Sequence, residues 1–155
     1  QWQDAEGDVM DAAFALLMES EIDMTIFFRA LATAESVEAL QNAFYLDGQW
    51  QQAREKWAAW FARYAALVAE QNPTFEQQSA RVRRMNAANP KYVLRNYLAQ
   101  QAIDAAHAGD YSKIAELLDV MRKPYDDQPG REIYAGKRPD WARTKAGCSM
   151  LSCSS

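Results

Sequence analysis

The side chains that could do chemistry are few and widely separated in this sequence. His107 is its only histidine, which excludes a histidine-rich zinc site and leaves one candidate base for a Ser-His-Asp triad. It stands in an alanine-rich helical segment just before Gly109, where a cationic side chain suits the helix dipole. We therefore interpret His107 as a helix-end residue and expect no catalytic residue in this chain.

Two clusters of charged residues could form binding sites. Glu19, Glu21 and Asp23 suggest a cation site, but negative charge before a helix is ordinary electrostatics. The only basic concentration comprises Arg81, Arg83, Arg84, Lys91 and Arg95. We interpret it as a solvated helix face, with a docking surface for an acidic partner or a neighbouring domain as the alternative. Glycine-rich phosphate loops and kinase catalytic-loop signatures are missing, so we expect this chain to bind neither a metal nor a cofactor.

The two cysteines, Cys148 and Cys153, both stand near the C-terminus among small and polar residues. Structural cysteines usually lie inside a fold as small hydrophobes, whereas thiols on a mobile tail can reach a partner thiol. The residues alone leave two interpretations open, which are a pair of idle exposed thiols and a redox-active tail.

Large aromatic residues recur at helical spacing in the middle of the chain. Trp50, Trp57 and Tyr64 stand seven residues apart, with Trp60 and Phe61 between them. Such a row could form a ligand cage, but aromatic side chains remove so much apolar area from water that they more often build a core. We predict a core.

Helical periodicity extends through most of the chain. Two neighbouring faces of the first predicted helix are apolar, so we expect it to be buried; they hold Val9, Ala13, Leu16 and Leu17, and Met10, Phe14 and Met18. Caps, prolines and glycines predict six more helices. These are a helix capped by Asp23, one from Ser36 to Gly48, one over 50–70, one opened by Thr74 and Gln77, one opened by Asn89-Pro90 and ended by Gly109, and one capped by Ser112.

The sequence therefore predicts an all-α fold with about seven helices. We expect a single helical domain over residues 1–124 and an irregular, extended C-terminal tail over 125–155, pinned to the body by Trp141. The net charge of −4 argues against a nucleic-acid partner, and no apolar run approaches the ~20 residues of a membrane span. The chain begins with Gln1 and not with Met, which favours a piece of a longer protein whose other part holds the chemistry.

Four ordered motifs resemble the selenoprotein O family. They are D-M-T-I-F-F-R-A-L over 23–31, N-P-K-Y-V-L-R-N-Y-L-A over 89–99, P-D-W-A-R over 139–143 and S-C-S-S over 152–155. The resemblance covers most of the chain. It implies a pseudokinase parent protein, an adenylyltransferase that moves AMP from ATP to the hydroxyls of serine, threonine and tyrosine in other proteins.

The same resemblance assigns the chemistry to residues outside this chain. ATP and Mg²⁺ are expected for the parent protein and not for this fragment, which alone is expected to be inactive. Its expected partners are the missing N-terminal kinase-like lobes and protein substrates, in the bacterial cytoplasm. A free-standing module of helical hairpins that binds proteins is the alternative, since Gly48-Gln49-Trp50 and Gly109-Asp110-Tyr111 each precede an amphipathic helix.

The resemblance also implies a role for the terminal cysteine, which in the family can pair with a cysteine near the activation segment and give redox control. Residues 145–150 depart from the family pattern. Cys148 lies nearer the usual distance from Trp141, whereas Cys153 has the usual neighbours. Cys153 is therefore the first candidate for the redox disulfide, and Cys148 is the second.

Overall fold

The computed structural model describes residues 2–71, 73–145 and 147–148, with side chains from residue 7 onward. The described residues form six α-helices and three short 3₁₀ helices, which confirms the all-α prediction. The α-helices are α1 (Trp2–Glu19), α2 (Met24–Leu31), α3 (Asp47–Glu70), α4 (Phe75–Ala88), α5 (Asn96–His107) and α6 (Ser112–Met121). The 3₁₀ helices are Val37–Ala43, Glu132–Ala135 and Asp140–Arg143. No described helix is both long and apolar enough to cross a membrane.

The chain divides into two compact units, Gln1–Asn89 and Pro90–Ser155. The first contains α1 to α4, and the second contains α5, α6 and the irregular segment that follows them. The predicted division into a helical domain over 1–124 and a tail over 125–155 stays a prediction.

The core of the first unit is built around the aromatic row of α3. Trp50, Trp57 and Trp60 are buried, and the indole of Trp57 makes an edge-to-face contact with Phe44 at 6.2 Å between ring centroids. The Phe27 ring of α2 lies 5.0 Å from the Trp57 ring. The indole N–H of Trp60 donates to the carbonyl of Val9 at 2.8 Å, so its one polar group is satisfied. The prediction that this row forms a core is confirmed.

The first helix is buried on one face only. Val9 and Ala13 pack against the first core, as their spacing predicts. The neighbouring stripe of Met10, Phe14 and Met18 is exposed. The expectation that α1 is buried on both apolar faces is therefore wrong, because α3 covers one side of it and none of the described elements covers the other.

Several predicted helix ends are confirmed. The Asp23 carboxylate accepts from the backbone N–H of Ile26 at 3.0 Å, and Thr74 and Gln77 form a reciprocal capping box. Gly109 ends α5 with a positive φ of 88°, and the N–H groups of residues 109 and 110 donate back to the carbonyls of residues 106 and 105. This is the double hydrogen bond of a Schellman motif.

Other helix boundaries differ from the predictions. Gly48 lies in the first turn of α3, and the preceding segment is a 3₁₀ helix ended by Phe44, whose extended backbone pairs with Ile22. Ser112 is the first residue of α6 and not its cap, since the Asp110 carboxylate accepts from its backbone N–H. Local sequence signals cannot reveal the pairing of Phe44 with Ile22, because more than twenty positions separate the two residues.

The largest boundary difference is at α5, which begins at Asn96 and not at Pro90. The backbone N–H groups of Lys91 and Tyr92 both donate to the carbonyl of Pro124, at 2.7 and 3.0 Å. Tyr92 is buried, and its hydroxyl accepts from the backbone N–H of Gln128. These bonds to the chain beyond α6 hold residues 91 and 92 outside the helix.

The second unit has its own, smaller core. Tyr97, Leu98 and Ala102 from α5 meet Leu117 from α6 and two residues of the segment after α6, Ala142 and Cys148. The described part of that segment is irregular, as predicted, with turns and two 3₁₀ helices. Polar contacts attach this segment to α6. The Tyr134 hydroxyl donates a hydrogen bond to the Glu116 carboxylate at 2.6 Å, and Arg131 forms salt bridges with Glu116 and Asp119.

Candidate functional site

Of the two cysteines predicted as redox residues, only Cys148 lies among the residues that the structure describes. Cys153, the first candidate, lies outside the described residues. Cys148, the second, is only 3% exposed and packs in the second core against residues of α5 and α6. The expectation of an exposed tail thiol is wrong for Cys148, because the chain turns back and inserts it between apolar side chains.

A short segment holds this cysteine in place, and we call residues 139–148 the cysteine strap. Its 3₁₀ helix, Asp140–Arg143, places the fully buried Ala142 in the second core. Trp141 meets the Tyr97 ring edge-to-face at 6.1 Å between centroids but remains 45% exposed. The predicted Trp141 contact is therefore present, while Ala142 lies deeper and fills the core.

The next contact of the strap is an ion pair across its outer side. The Lys145 ammonium binds the Asp104 carboxylate of α5, whose Oδ1 also accepts from the Gln100 side chain at 2.7 Å. The hydrogen bond from Lys145 lowers the pKa of Asp104, and Gln100 adds to that shift. The hydrogen bond from Asp104 in turn raises the pKa of Lys145. The Lys145 ammonium also lies 5.7 Å from the centre of the Trp141 ring, within cation–π range.

A glycine lets the strap come this close to α5. Gly147 has a positive φ of 81°, and a Cβ added to it would overlap the side-chain oxygen of Gln100. The backbone then turns so that the Cys148 N–H donates to the Lys145 carbonyl at 3.1 Å, and the thiol faces the core. A side chain at this position is strained by the positive φ, whereas the overlap involves the end of the flexible Gln100 side chain, which has to move aside.

The chemistry open to this arrangement is limited by burial. A thiol reacts as its thiolate, and a thiol packed among apolar groups is inert while it stays there. Cys148 can therefore meet an oxidant or an alkylating reagent only when the strap opens. The sequence did not single out Asp104, Gln100 or Lys145, because 41 positions separate Lys145 from Asp104 and no local pattern links them.

The other predicted residues do not join this site into a catalytic group. His107 is the exposed last residue of α5, and its charge makes only the smallest contribution to the lowered pKa of Asp104. Glu19 pairs with Lys56 at 2.6 Å, while Asp23 caps α2 and accepts from the Tyr45 hydroxyl at 2.9 Å. Across residues 2–71, 73–145 and 147–148, no three acidic, histidine or cysteine side chains lie together as a metal site would require.

The basic concentration is split between the two units. Arg81 points inward, where its guanidinium donates to the Tyr64 hydroxyl at 2.7 Å and to the Ala32 carbonyl at 3.3 Å. For Arg81 the solvated-face prediction is wrong, because the side chain joins α4 to its neighbours in the first core. Arg83 and Arg84 are exposed as predicted, and Lys91 pairs with Asp127 at 2.7 Å in the second unit.

Comparison with known proteins identifies the family that this chain resembles. Residues 1–122 match the family described as Protein adenylyltransferase SelO. Three bacterial relatives named Protein nucleotidyltransferase YdiU are 50%, 49% and 48% identical, from Aromatoleum aromaticum, Methylobacillus flagellatus and Tolumonas auensis. The matches cover 98%, 99% and 100% of this chain but only 29%, 30% and 30% of the relatives. The chain therefore spans less than a third of the length of the relatives it matches.

Proposed function

The chain belongs to the Protein adenylyltransferase SelO family, and we propose that it is the C-terminal helical portion of a longer protein that transfers AMP from ATP to protein hydroxyls. The single observation that supports this is the match to nucleotidyltransferases over nearly the whole chain but less than a third of their length. The resemblance of the tail motifs to the C-terminal end of the family supports the position within the longer protein.

We assign this portion a structural role in the transfer reaction. Most of its buried apolar side chains lie in two cores, and its one histidine is an exposed helix-end residue. In the described part of the chain, no three acidic, histidine or cysteine side chains lie together. The resemblance to the family implies that ATP and Mg²⁺ bind to the rest of the longer protein, and this assignment is part of the proposal. The cytoplasmic location stays a prediction.

The direct test compares this chain with the full-length protein of its gene. Isothermal titration with ATP and Mg²⁺ should show binding to the full-length protein and none to the chain alone. Intact-mass analysis of a protein substrate should show the added AMP only with the full-length enzyme. Nucleotide binding by this chain alone, or a full-length protein that transfers no AMP, would overturn the proposal.

Redox control is the second part of the proposal, with Cys153 as the reactive thiol. Two thiols joined as a disulfide release two protons and two electrons, which a small disulfide oxidant such as oxidised glutathione accepts. Cys153 follows the buried Cys148 by five residues, so while the strap is closed it reaches at most roughly 17 Å from that point. Its partner cysteine must lie within that reach plus the ~5.5 Å between the Cα atoms of a disulfide.

Matched serine variants test this role. In the oxidised full-length protein, peptide mapping without reductant should find a disulfide that contains Cys153. Cys153→Ser should abolish it, whereas Cys148→Ser should leave it in place. A disulfide that survives Cys153→Ser and disappears in Cys148→Ser would instead assign the role to Cys148.

The helical-hairpin module is less well supported by the structure. Its two similar tripeptides do not occupy equivalent positions, since Gly48 lies inside the first turn of α3 whereas Gly109 ends α5 with a positive φ. A structural repeat places equivalent residues at equivalent positions. We therefore do not propose a repeat protein.

A further inference from the structure

An open apolar groove runs between α5 and α6 in the second unit. Its volume is about 340 Å³, and all the side chains that line it are apolar. Ile103 of α5 is 46% exposed at its rim, and Leu118 of α6 is 55% exposed. Leu94, ahead of α5, is exposed at the same groove. Several large apolar side chains are therefore exposed at one groove.

The shape of the groove fits a helix. Ile114, Leu118 and Met121 stand at positions i, i+4 and i+7 on α6 and form one wall over roughly 10 Å of helix length. The small side chains of Ala99 and Ala102 leave space on the α5 side. Grooves of this kind take the apolar face of a helix whose own anchors repeat at i, i+3 or i+4, and i+7. A small apolar ligand fits less well, because small-molecule pockets enclose most of the ligand surface and this groove is open.

We propose that this groove seats an apolar helix face from the part of the polypeptide that lies outside this chain. This rests on the proposed function, in which the chain is one portion of a longer protein. The relatives are more than three times as long as the segment that matches this chain, so such a protein has ample sequence to cover the groove. Contiguous exposed apolar patches mark interaction surfaces, and in a longer protein the remaining part of the same polypeptide is always close enough to occupy one.

A second copy of this chain is the weaker occupant. A symmetric dimer brings the same surface of both copies together, so it must be self-complementary. Here the surface is a groove, and two facing grooves leave a gap between the copies. We therefore expect the groove to be covered in the full-length protein and open in this chain alone.

Single-cysteine labelling tests the proposal in the chain and in the full-length protein. Leu118→Cys places a thiol in the groove, and Ala115→Cys places a matched control on the same helix at an exposed position that does not line it. Ile103→Cys reads the same groove from α5 if Leu118→Cys fails to fold. N-Ethylmaleimide labelling is followed by peptide mass spectrometry, so the native cysteines do not interfere.

In the chain alone, the thiols at 118 and 115 should label at similar rates that do not depend on protein concentration. In the full-length protein, the thiol at 118 should label at least about tenfold more slowly, while the control changes by less than about twofold. Equal labelling at 118 in both proteins overturns the proposal. Protection in the dilute chain also overturns it, and protection that grows with chain concentration assigns the groove to a second copy.

The same full-length preparations are assayed for AMP transfer, which separates the two proposals. Active enzyme with a freely labelled residue 118 refutes the groove proposal and leaves the proposed function standing. Inactive enzyme with a protected residue 118 refutes the proposed function and leaves the groove as an internal packing surface.

Discussion

Gly147 is the residue on which the closed position of the cysteine strap depends. A side chain there has to adopt a left-handed conformation that costs about 1–2 kcal/mol, and its Cβ also overlaps Gln100. Gly147→Ala should therefore open the strap and raise the labelling rate of Cys148 by roughly five- to thirtyfold. The rate of modification of Cys148 by N-ethylmaleimide, read by peptide mass spectrometry, measures this opening.

Two further variants separate the causes of that strain. Adding Gln100→Ala to Gly147→Ala removes the overlap but keeps the strained backbone, so labelling should return only part of the way. Gly48→Ala is the control, because its Cβ meets open space and its φ is not positive. Unchanged labelling of Cys148 in Gly147→Ala would show that the strap does not depend on this close approach.

The ion pair between Asp104 and Lys145 gives the strap a pH dependence of known sign. The pKa of Asp104 is lowered in the folded chain, so its contribution is present above the unfolded value near 3.8 and is lost as the pH falls through the folded pKa. The pKa of Lys145 is raised, so its contribution is present below the unfolded value near 10.5 and is lost as the pH rises through the folded pKa. The pair therefore stabilises the strap between these limits.

Asp104→Asn tests this window with a side chain of the same size. The melting temperature of the variant, followed by circular dichroism, should fall below that of the parent chain near neutral pH, and the difference should shrink at both acidic and strongly alkaline pH. The fall should be modest, because both side chains are more than 40% exposed and solvent screens the pair. The control repeats Asp104→Asn in a Lys145→Met background. If the melting temperature near neutral pH falls there by the same amount, the assignment to this ion pair is contradicted.

At the scale of elements, α3 organises the first unit through its aromatic face. Trp57 is fully buried and contacts aromatic rings from α2, from the chain before α3 and from its own helix. Trp57→Ala should lower the free energy of unfolding by about 3–5 kcal/mol, the usual cost of emptying a buried tryptophan site. Urea unfolding followed by circular dichroism measures it. Phe75→Ala is the control, since Phe75 is 85% exposed and its loss should change stability by less than about 0.5 kcal/mol.

The same helix shows why part of the fold could be predicted from sequence. The seven-residue repeat of Trp50, Trp57 and Tyr64, and the capping box of Thr74 and Gln77, are local patterns that the structure confirms. The late start of α5 depends instead on bonds from Lys91 and Tyr92 to Pro124, more than thirty residues away. Local propensity favours a helix at Asn89-Pro90, and tertiary hydrogen bonds override it.

The candidate site also has a part that the sequence predicts and a part that depends on tertiary contacts. Its cysteines and Trp141 stand out in the sequence because of their residue types. Their surroundings do not, since the burial of Cys148 requires α5, α6 and a turn at Gly147 to come together. Periodicity also predicted that Met10, Phe14 and Met18 lie on a buried face. It detects an apolar face but does not distinguish a core of the same unit from a surface that another part of the protein covers.

At the scale of the whole molecule, the chain has continuous apolar surfaces that lie outside its two cores. The stripe of Met10, Phe14 and Met18 on α1 is one such surface in the first unit, and it lies beside the buried face that holds Val9 and Ala13. Contiguous exposed patches of this kind mark interaction surfaces, whereas scattered apolar residues are normal. The folded chain alone should therefore bind an apolar dye such as 8-anilinonaphthalene-1-sulfonate.

Phe14→Ser tests whether this binding comes from the stripe. Phe14 is 47% exposed between two methionines, so its loss should reduce dye fluorescence while the melting temperature stays within about 2–4 °C of the parent value. Phe75→Ser removes a more exposed phenylalanine that lies outside the stripe, and it should reduce the fluorescence less. An equal loss in both variants would mean that the dye follows single exposed rings and not a continuous surface. A selective loss in Phe14→Ser would show that α1 carries an apolar face which the first unit folds without, and which is therefore available to the rest of a longer protein.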